Sequence, residues 1–247
     1  MRAHARIVAE PGPAGTRLTT LRGEPPLLPR RTGPAGSDIA EVHLVGAAAG
    51  PLGGDHLQLD IVVHPGARLT LRTTAATLAL PSRPASVSRT IVTAHVAAGA
   101  TLRYLPEQLI AGAGCRHEAV STVDVEDGGF LTWREELVCG RHGEQSGDAT
   151  LTLNIGYGRR PLLRQTLSVG PHAPGWAAAG VLGGARATGA LLHIDPAADP
   201  GPATVLGPTA VRVPLSGPAN LTTATAPNTH TLRQYLAAAA LNAHAYP

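Results

Sequence analysis

The amino-acid sequence predicts a mainly β protein: stacked β-hairpins or a β-helix-like scaffold, with a few helices that include one at the C-terminus. Three observations predict this class. Many short segments alternate apolar and polar residues, glycine turns separate them, and one strand–turn–strand pattern recurs. A chain of 247 residues is long enough for one large β domain, and we expect a single domain over residues 1–247.

The clearest pair of strands lies between residues 57 and 73. Residues 57–63 (LQLDIVV) alternate apolar and polar side chains, which is typical of a strand with one buried face. The sequence HPGA at 64–67 then supplies the Pro and Gly that a turn needs. Residues 68–73 (RLTLRT) alternate again and predict a second strand with Arg and Thr on its polar face.

The same unit then recurs along the chain. The segments VHPGARLTL (63–71), VAAGATLRY (96–104) and VEDGGFLTW (125–133) align without gaps. They share Val, Gly and Leu at the first, fourth and seventh positions, and each ends in a large apolar residue. We interpret the unit as a β-hairpin, and its repetition favours a stacked or helical β architecture.

The remaining elements have weaker signals. Further strands are expected at residues 40–45, 151–155, 162–169 and 210–213, whereas residues 170–202 are rich in Gly, Pro and Ala and uninformative. A helix is expected at about residues 229–245, with Asn228 or Thr229 as its N-cap. Its apolar face consists of Leu232, Leu236, Ala239, Ala240 and Ala243.

Composition excludes several classes of function. Apolar residues make up 43% and aromatic residues 3%, which indicates a globular chain whose core consists of small aliphatic side chains. The net charge is +3, but the 20 basic residues, all Arg, are scattered, so we expect no nucleic-acid partner. No apolar stretch resembles a signal peptide or a membrane span. We therefore expect a cytoplasmic protein without disulfides.

Signatures of catalysis and of tight metal binding are weak. The sequence lacks the common nucleophile, Walker A, dinucleotide and H-E-x-x-H motifs. Cys115 and His117, two residues apart, would share one face of a strand and could chelate a metal, and Cys139 and His142 are three apart. Neither spacing is a known zinc signature, so ordinary thiols near histidines are the favoured interpretation.

Three acidic residues stand out by position. Asp55 follows two glycines at the start of a strand, where its carboxylate either caps the turn or faces a ligand that approaches the glycines. Glu135 and Glu136 are adjacent on a strand, so one of them should point inward. A buried carboxylate needs a partner, a proton or a metal. The residues alone leave the structural and functional readings equally open.

Four ordered motifs resemble the family of the urease accessory protein UreD, also called UreH. They are GGD at 53–55, the threonine-rich TTAAT at 73–77, YLPEQ at 104–108, and a Gly-Arg followed by Gly-Glu at 140–144. The match is best over residues 40–145. Beyond residue 145 it weakens to Arg212 and the terminal helix.

The chain departs from this family at several positions. Family positions that often hold Lys, an aromatic residue and Arg are here Leu78, Leu80 and Pro81, and a carboxylate of many members is here Gln165. Gly147-Asp148 is an alternative counterpart of the Gly-Glu pair. A polar path made of every family position would therefore be incomplete in this chain or would use other groups.

The resemblance implies a non-enzyme that binds apo-urease and the accessory proteins UreF and UreG, the latter a GTPase, and assists insertion of nickel into urease. By residue matching, Asp55 and Glu135 are the expected members of a transient nickel route, and no tightly bound cofactor is expected. A few carboxylate oxygens hold Ni²⁺ exchangeably, whereas a closed set of His and Cys would trap it.

Two other functions stay open at this point. A β-helix-type enzyme acting on polysaccharides could use Asp55 and Glu135 as an acid/base pair, although the low aromatic content disfavours a sugar site. A generic β-rich interaction module with another partner is the second alternative.

Overall fold

The computed structural model describes residues 1–242 of the chain, and side chains as far as residue 238. The described strands, in chain order, are β1 (Arg2–Gly12), β2 (Gly15–Arg22), β3 (Leu27–Arg31), β4 (Ala40–Gly46), β5 (His56–Val63), β6 (Arg68–Thr73), β7 (Thr77–Ala79), β8 (Ser88–Val96), β9 (Thr101–Leu105), β10 (Leu109–Ala111), β11 (Arg116–Val125), β12 (Phe130–Cys139), β13 (Asp148–Tyr157), β14 (Arg160–Val169), β15 (Ala187–Ile194), β16 (Thr204–Gly207), β17 (Ala210–Pro214) and β18 (Ala219–Ala226). One helix follows them, α1 (Thr229–Asn242).

The strands form two sheets. The first sheet has seven strands in the order β14-β13-β11-β8-β5-β1-β2. The second has the order β16-β17-β18-β15-β12-β9-β6-β4-β3, and the short strands β7 and β10 pair beside it. Inward side chains of both sheets pack into one hydrophobic cluster. The predicted mainly β, β-helix-like class is therefore confirmed.

Between β4 and β13 the chain winds as a coil. It passes from β5 in the first sheet to β6 in the second, returns to β8, and repeats this course through β9, β11 and β12. Neighbouring strands of successive turns are parallel. The predicted β-hairpin is therefore wrong: the two strands of each unit pair with other turns of the coil and not with each other. The unit is instead a corner between the two sheets. The sequence did not distinguish the two, because alternation and a glycine turn look the same in a hairpin and in a corner.

The predicted repeat has the correct register. Equivalent Val and Leu residues pair across successive turns, namely Val63, Val96 and Val125 in the first sheet and Leu69, Leu102 and Leu131 in the second. The shared glycines Gly66, Gly99 and Gly128 have φ values of +79°, +69° and +81°. This left-handed conformation carries a steric cost for side chains with a Cβ, which explains why each corner has glycine at its fourth position.

The core between the sheets is aliphatic, as composition indicates, except for one stacked aromatic pair. Trp133 of β12 is fully buried and stacks on Tyr104 of β9, with ring centroids 4.1 Å apart. These two residues end the second and third copies of the repeat and pair in register. The largest side chains of the core thus lie directly above one another in the coil.

The C-terminal part is antiparallel. β15, β17 and β18 run antiparallel to their neighbours, and α1 packs Leu232 and Leu236 against this end of the second sheet. Asn228 caps the helix, because its Oδ1 accepts the Thr231 N–H at 2.9 Å. The described helix ends at Asn242. The side chains of the predicted Ala239 and Ala240, and all of residues 243–245, lie outside the described part.

Most predicted strands are confirmed with longer bounds. The segments 40–45, 151–155, 162–169 and 210–213 lie within β4, β13, β14 and β17. The sequence did not indicate β15 inside the Gly/Pro/Ala-rich region 170–202. It gave no signal for β1, β2 or β18 either.

Candidate functional site

A row of four cavities lies in the space between the sheets. The first, of about 380 Å³, begins beside Gly50 and Pro51. The second and third, of about 100 and 60 Å³, meet at Glu135. The fourth, of about 530 Å³, lies beside β16 and β17. Two narrow cavities thus lie between two wide ones, and we call the four together the cavity row.

Neighbouring cavities have walls in common. The first and second share Thr77, Thr90, Val92, Tyr104 and Pro106. The second and third share Glu135 and Leu151, and the third and fourth share Gln165, Leu167, Thr188 and Thr223. The row therefore follows the direction in which the strands stack, from β4 to β17.

Two of the four sequence motifs line this row, and a third lies beside it. Residues 73–77 form one wall of the first cavity, and Tyr104 and Pro106 belong to the boundary with the second. The Gly-Gly-Asp motif orders the turn that carries Gly50 and Pro51. Segments that are far apart in the sequence thus meet along the same row of cavities.

Asp55 is buried in that turn with both carboxylate oxygens engaged. Its Oδ1 lies 2.6 Å from the Met1 ammonium group, and its Oδ2 accepts the Leu52 N–H at 2.8 Å. The local N–H bond confirms the turn-capping interpretation. A Cβ at Gly53 would lie 2.6 Å from the Ser86 carbonyl oxygen, so it is this chain's own backbone that approaches the glycine.

Glu135 points inward from β12, between the second and third cavities. Its Oε1 accepts hydrogen bonds from Ser121 Oγ at 2.7 Å and from Trp133 Nε1 at 3.1 Å. Burial raises the pKa of Glu135, and these two hydrogen bonds oppose the rise. Among the described side chains no cation forms a salt bridge with this carboxylate. The prediction that one of the two adjacent glutamates points inward is confirmed for Glu135.

Glu136 points to the opposite face of the strand and is buried there. Its carboxylate has no exposed surface, and it lies 3.1 Å from Arg134 Nε and 3.0 Å from Arg233 of α1. Arg233 also donates to Glu107 at 2.6 Å and to Gln108 at 2.8 Å. The helix thus fastens the Glu107-Gln108 end of the third motif to β12. The sequence alone gave no sign of this network.

His117 is a further ionisable group that faces the narrow part of the row. It lies on β11, is 3% exposed, and lines the second cavity together with Glu135. Its Nδ1 lies 2.9 Å from Ser88 Oγ. Burial lowers the pKa of His117 to about 4, against a smaller opposing effect of Glu118, so the ring is neutral at pH 7. The alternation of side chains along β11 places His117 on the inward face of the strand. This pattern could have identified the residue from the sequence, but it was missed.

The cysteines do not lie at the row. Cys115 and Cys139 are both buried in a small cluster that also contains Leu182 and Trp176. Burial is the main cause that raises the pKa of Cys115, to about 11, and it also raises the pKa of Cys139. Both are therefore thiols at neutral pH, in agreement with the favoured interpretation.

The fourth motif forms a separate turn. Arg141 Nη2 lies 2.6 Å from Glu144 Oε1, and this pairing lowers the pKa of Glu144 to about 2. Arg186 donates to the carbonyl oxygens of Cys139 and Glu144, at 2.7 and 2.8 Å. These contacts fix the conformation of the turn that follows β12. The fourth motif is therefore structural and does not line the cavity row.

No three His, Cys, Asp or Glu side chains among the described residues come close enough to hold a metal ion together. No helix among them is long and apolar enough to cross a membrane.

The fold and the cavity row define a class: a coiled β scaffold with a row of neighbouring cavities, some of them lined by inward polar side chains. The chain belongs to the UreD family of urease accessory proteins, whose family model matches residues 1–246. Membership in this family supports a role in urease maturation. An accessory role of this kind agrees with the expectation that the protein is not an enzyme.

Proteins named urease accessory protein UreD resemble the chain over nearly its whole length. One from Streptomyces avermitilis is 46% identical over 240 residues, which cover 96% of this chain and 95% of that protein. One from Frankia alni is 40% identical over 275 residues, which cover 97% and 92%. The chain is also 46% identical to a protein named UreD 3 from Streptomyces griseus, over 96% of this chain and 94% of that one.

Proposed function

We propose that this chain is a cytoplasmic scaffold that binds apo-urease together with UreF and the GTPase UreG, and that assists insertion of nickel into the urease active site. The observation that carries the proposal is the cavity row, with the unpaired carboxylate of Glu135 at its narrow part. Ni²⁺ passes along this row as cargo, and the protein keeps no tightly bound cofactor.

The walls of the row suit passage rather than storage. Among the described lining residues, neither wide cavity contains an Asp, Glu, His or Arg. The first cavity is lined mainly by apolar side chains, and its polar side chains include four threonines, whose hydroxyls interact with a hydrated cation more weakly than carboxylates do. Of the carboxylates that line the narrow part, only that of Glu135 has no Arg partner among the described residues, and this one carboxylate attracts the ion and still releases it.

Asp55 belongs to the proposed route at its first cavity. Its carboxylate orders the turn that carries Gly50 and Pro51, which line that cavity. Both Asp55 oxygens are already engaged, Oδ1 by the Met1 nitrogen at 2.6 Å and Oδ2 by the Leu52 N–H at 2.8 Å. The proposed role of Asp55 is therefore to hold the mouth of the row in shape, while Glu135 contacts the ion.

Reconstitution of urease tests the proposal. Apo-urease is incubated with UreF, UreG, GTP, Ni²⁺ and this protein, and nickel in the repurified urease is counted by mass spectrometry. We expect Glu135→Gln to lower nickel content at least tenfold, because the amide removes the negative charge while keeping the side-chain shape. Glu118→Gln, at an exposed carboxylate of β11, is the matched control and should load urease normally.

Two results would contradict this function. One is normal nickel loading by the Glu135→Gln protein. The other is that tagged wild-type protein, mixed with purified UreF, UreG and apo-urease, retains none of them. Retention of all three by the Glu135→Gln protein would place its defect in the passage of nickel and not in assembly.

A further inference from the structure

We propose that the second sheet carries a binding site for a small oxyanion, a phosphate or a carboxylate, with Arg212 of β17 and Thr222 of β18 as its donors. The two residues lie directly opposite each other on neighbouring antiparallel strands. Their side chains therefore project from the same face of the sheet, with Cβ atoms roughly 4.5–5.5 Å apart. Neither residue lines the cavity row, so the site is separate from the proposed route of nickel.

Arg212 is a buried cation that no acidic side chain of the described residues neutralises. The residue is 8% exposed, and its guanidinium forms no hydrogen bond or ion pair with a described group. Its Nε is completely enclosed. A buried charge without a partner is costly, and proteins usually pair such charges or bind a counter-ion to them. An anion at the guanidinium would remove this cost.

Thr222 places a second unpaired polar atom beside the first. The residue is 1% exposed, and no described group forms a hydrogen bond with its Oγ1. Buried polar atoms are nearly always hydrogen-bonded, and here two exceptions lie on residues that face each other across one pair of strands. An oxyanion has several acceptor oxygens, so one ion can accept hydrogen bonds from a guanidinium and a hydroxyl together.

The groups around the guanidinium do not supply this anion. Thr204 of β16 lies opposite Arg212 on its other side, but its hydroxyl donates to the Pro202 carbonyl oxygen at 3.2 Å. The turn at Gly201 lies against the guanidinium, because a Cβ on that glycine would be 3.8 Å from Arg212 Nη2. Asp199 of the same turn accepts the Gly201 N–H at 2.9 Å. Its carboxylate thus stabilises the turn and forms no ion pair with Arg212.

The position of the rung explains its burial and the kind of ligand that it fits. The next pair of residues on the same face, Ala210 and Ala224, packs against α1. Of the guanidinium nitrogens of Arg212 only Nε is fully enclosed, so a small ion from solution can reach the terminal two. A guanidinium presents a planar fork of N–H donors that matches the paired oxygens of a carboxylate or a phosphate. A small oxyanion therefore fits this site better than a halide.

Thermal unfolding of the purified full-length protein tests the site. Midpoints are measured at pH 7.5 in Tris buffer with sodium phosphate, sodium acetate or sodium chloride at equal ionic strength. A ligand that binds only the folded state raises the midpoint in proportion to its binding. We expect phosphate or acetate to raise the midpoint by at least about 2 °C over chloride. No rise with either oxyanion would overturn the inference.

Two Arg variants separate binding from a general salt effect. Phosphate also stabilises proteins because it is excluded from their surfaces, and that effect does not depend on one side chain. Arg212→Met removes the cation and keeps a long unbranched side chain, so we expect the rise to disappear. Arg103→Met is the matched control at an exposed position of the same sheet, and it should keep the rise. An equal rise in both variants would mean that no site exists at Arg212.

Thr222→Val tests the second donor and does not depend on the folding of Arg212→Met. Valine keeps the shape of threonine and removes the hydroxyl. We expect the oxyanion concentration that gives half of the rise to increase at least threefold. An unchanged concentration would contradict the assignment of Thr222 as a donor. Nickel transfer to urease is measured separately, so either result leaves the proposed function to its own test.

Discussion

Glu135, which is half-buried, and Glu136, which is buried, are neighbours on one strand, and their surroundings are opposite. Glu135 faces the cavity row and accepts bonds from a hydroxyl and an indole N–H. Glu136 faces α1 and is held between two guanidinium groups, those of Arg134 and Arg233. The first carboxylate has no cation beside it among the described side chains, whereas the second has two.

The comparison shows that burial alone does not decide what a carboxylate does. A carboxylate paired with two Arg residues is already neutralised, and its work is to hold helix and sheet together. A carboxylate that receives only neutral hydrogen bonds keeps an attraction for a cation that enters its cavity. One strand can thus carry a structural and a functional glutamate side by side, one on each face.

The largest effect is expected on the helix side. Replacing Glu136 by Ala leaves the Arg134 and Arg233 guanidinium groups without their buried counter-charge, which typically costs about 3–5 kcal/mol of unfolding free energy. We expect the lower end, because Arg233 keeps its bond to Glu107. Urea unfolding followed by circular dichroism measures the change. A loss below about 1 kcal/mol would show that the network does not anchor α1.

The pH dependence of stability tests the side chains that face the cavity row. The unfolded His117 ring takes up its proton near pH 6.5, but the folded ring does so only near pH 4. The unfolded state therefore binds more protons in this window, and stability falls as pH falls, by up to about 3 kcal/mol. The raised pKa of Glu135 works in the opposite direction. Urea midpoints at pH 7.5 and 4.5 should differ less for His117→Asn than for wild type.

That comparison has its own control. His142→Asn removes an exposed histidine and should leave the pH dependence as it is in the wild type. Equal acid sensitivity of His117→Asn and wild type would mean that the folded His117 ring accepts a proton as easily as an exposed one.

A smaller stability effect is expected for Glu135→Gln. The amide oxygen still accepts from Ser121 and Trp133, and the substitution removes a charge that burial disfavours. We expect a change within about 1 kcal/mol in unfolding free energy at pH 7.5. A loss as large as that of Glu136→Ala would remove the distinction between the two faces. A normal fold with reduced nickel transfer would sharpen it.

The smallest effect is expected for an exposed carboxylate. Glu118 lies 2.7 Å from Arg89 on the outer face of the first sheet, with both side chains substantially exposed. Surface pairs of this kind contribute little, so Glu118→Gln should change unfolding free energy by less than about 0.5 kcal/mol. A larger loss would mean that charge alone, and not burial, accounts for the cost at Glu136.

Local patterns predicted much of the fold. Alternation located the strands of the coil, and the shared Val, Gly and Leu positions predicted which residues align between turns. The cap at Asn228 was visible because it depends on residues within one helical turn. The partners of strands were not visible. Each unit therefore looked like a hairpin until the structure placed β5 and β6 in different sheets.

The sequence by itself determined a repetitive β protein with small aliphatic side chains, glycine corners and two neighbouring acids of which one must face inward. It also singled out Glu135 and Asp55, through resemblance to UreD proteins. Only the tertiary structure separated Glu135 from Glu136, assigned Asp55 to a turn and brought His117 to the cavity. The reason is physical: periodicity depends on neighbours along the chain. The environment of a buried charge depends instead on residues far away, such as Arg233, which is 97 positions from Glu136.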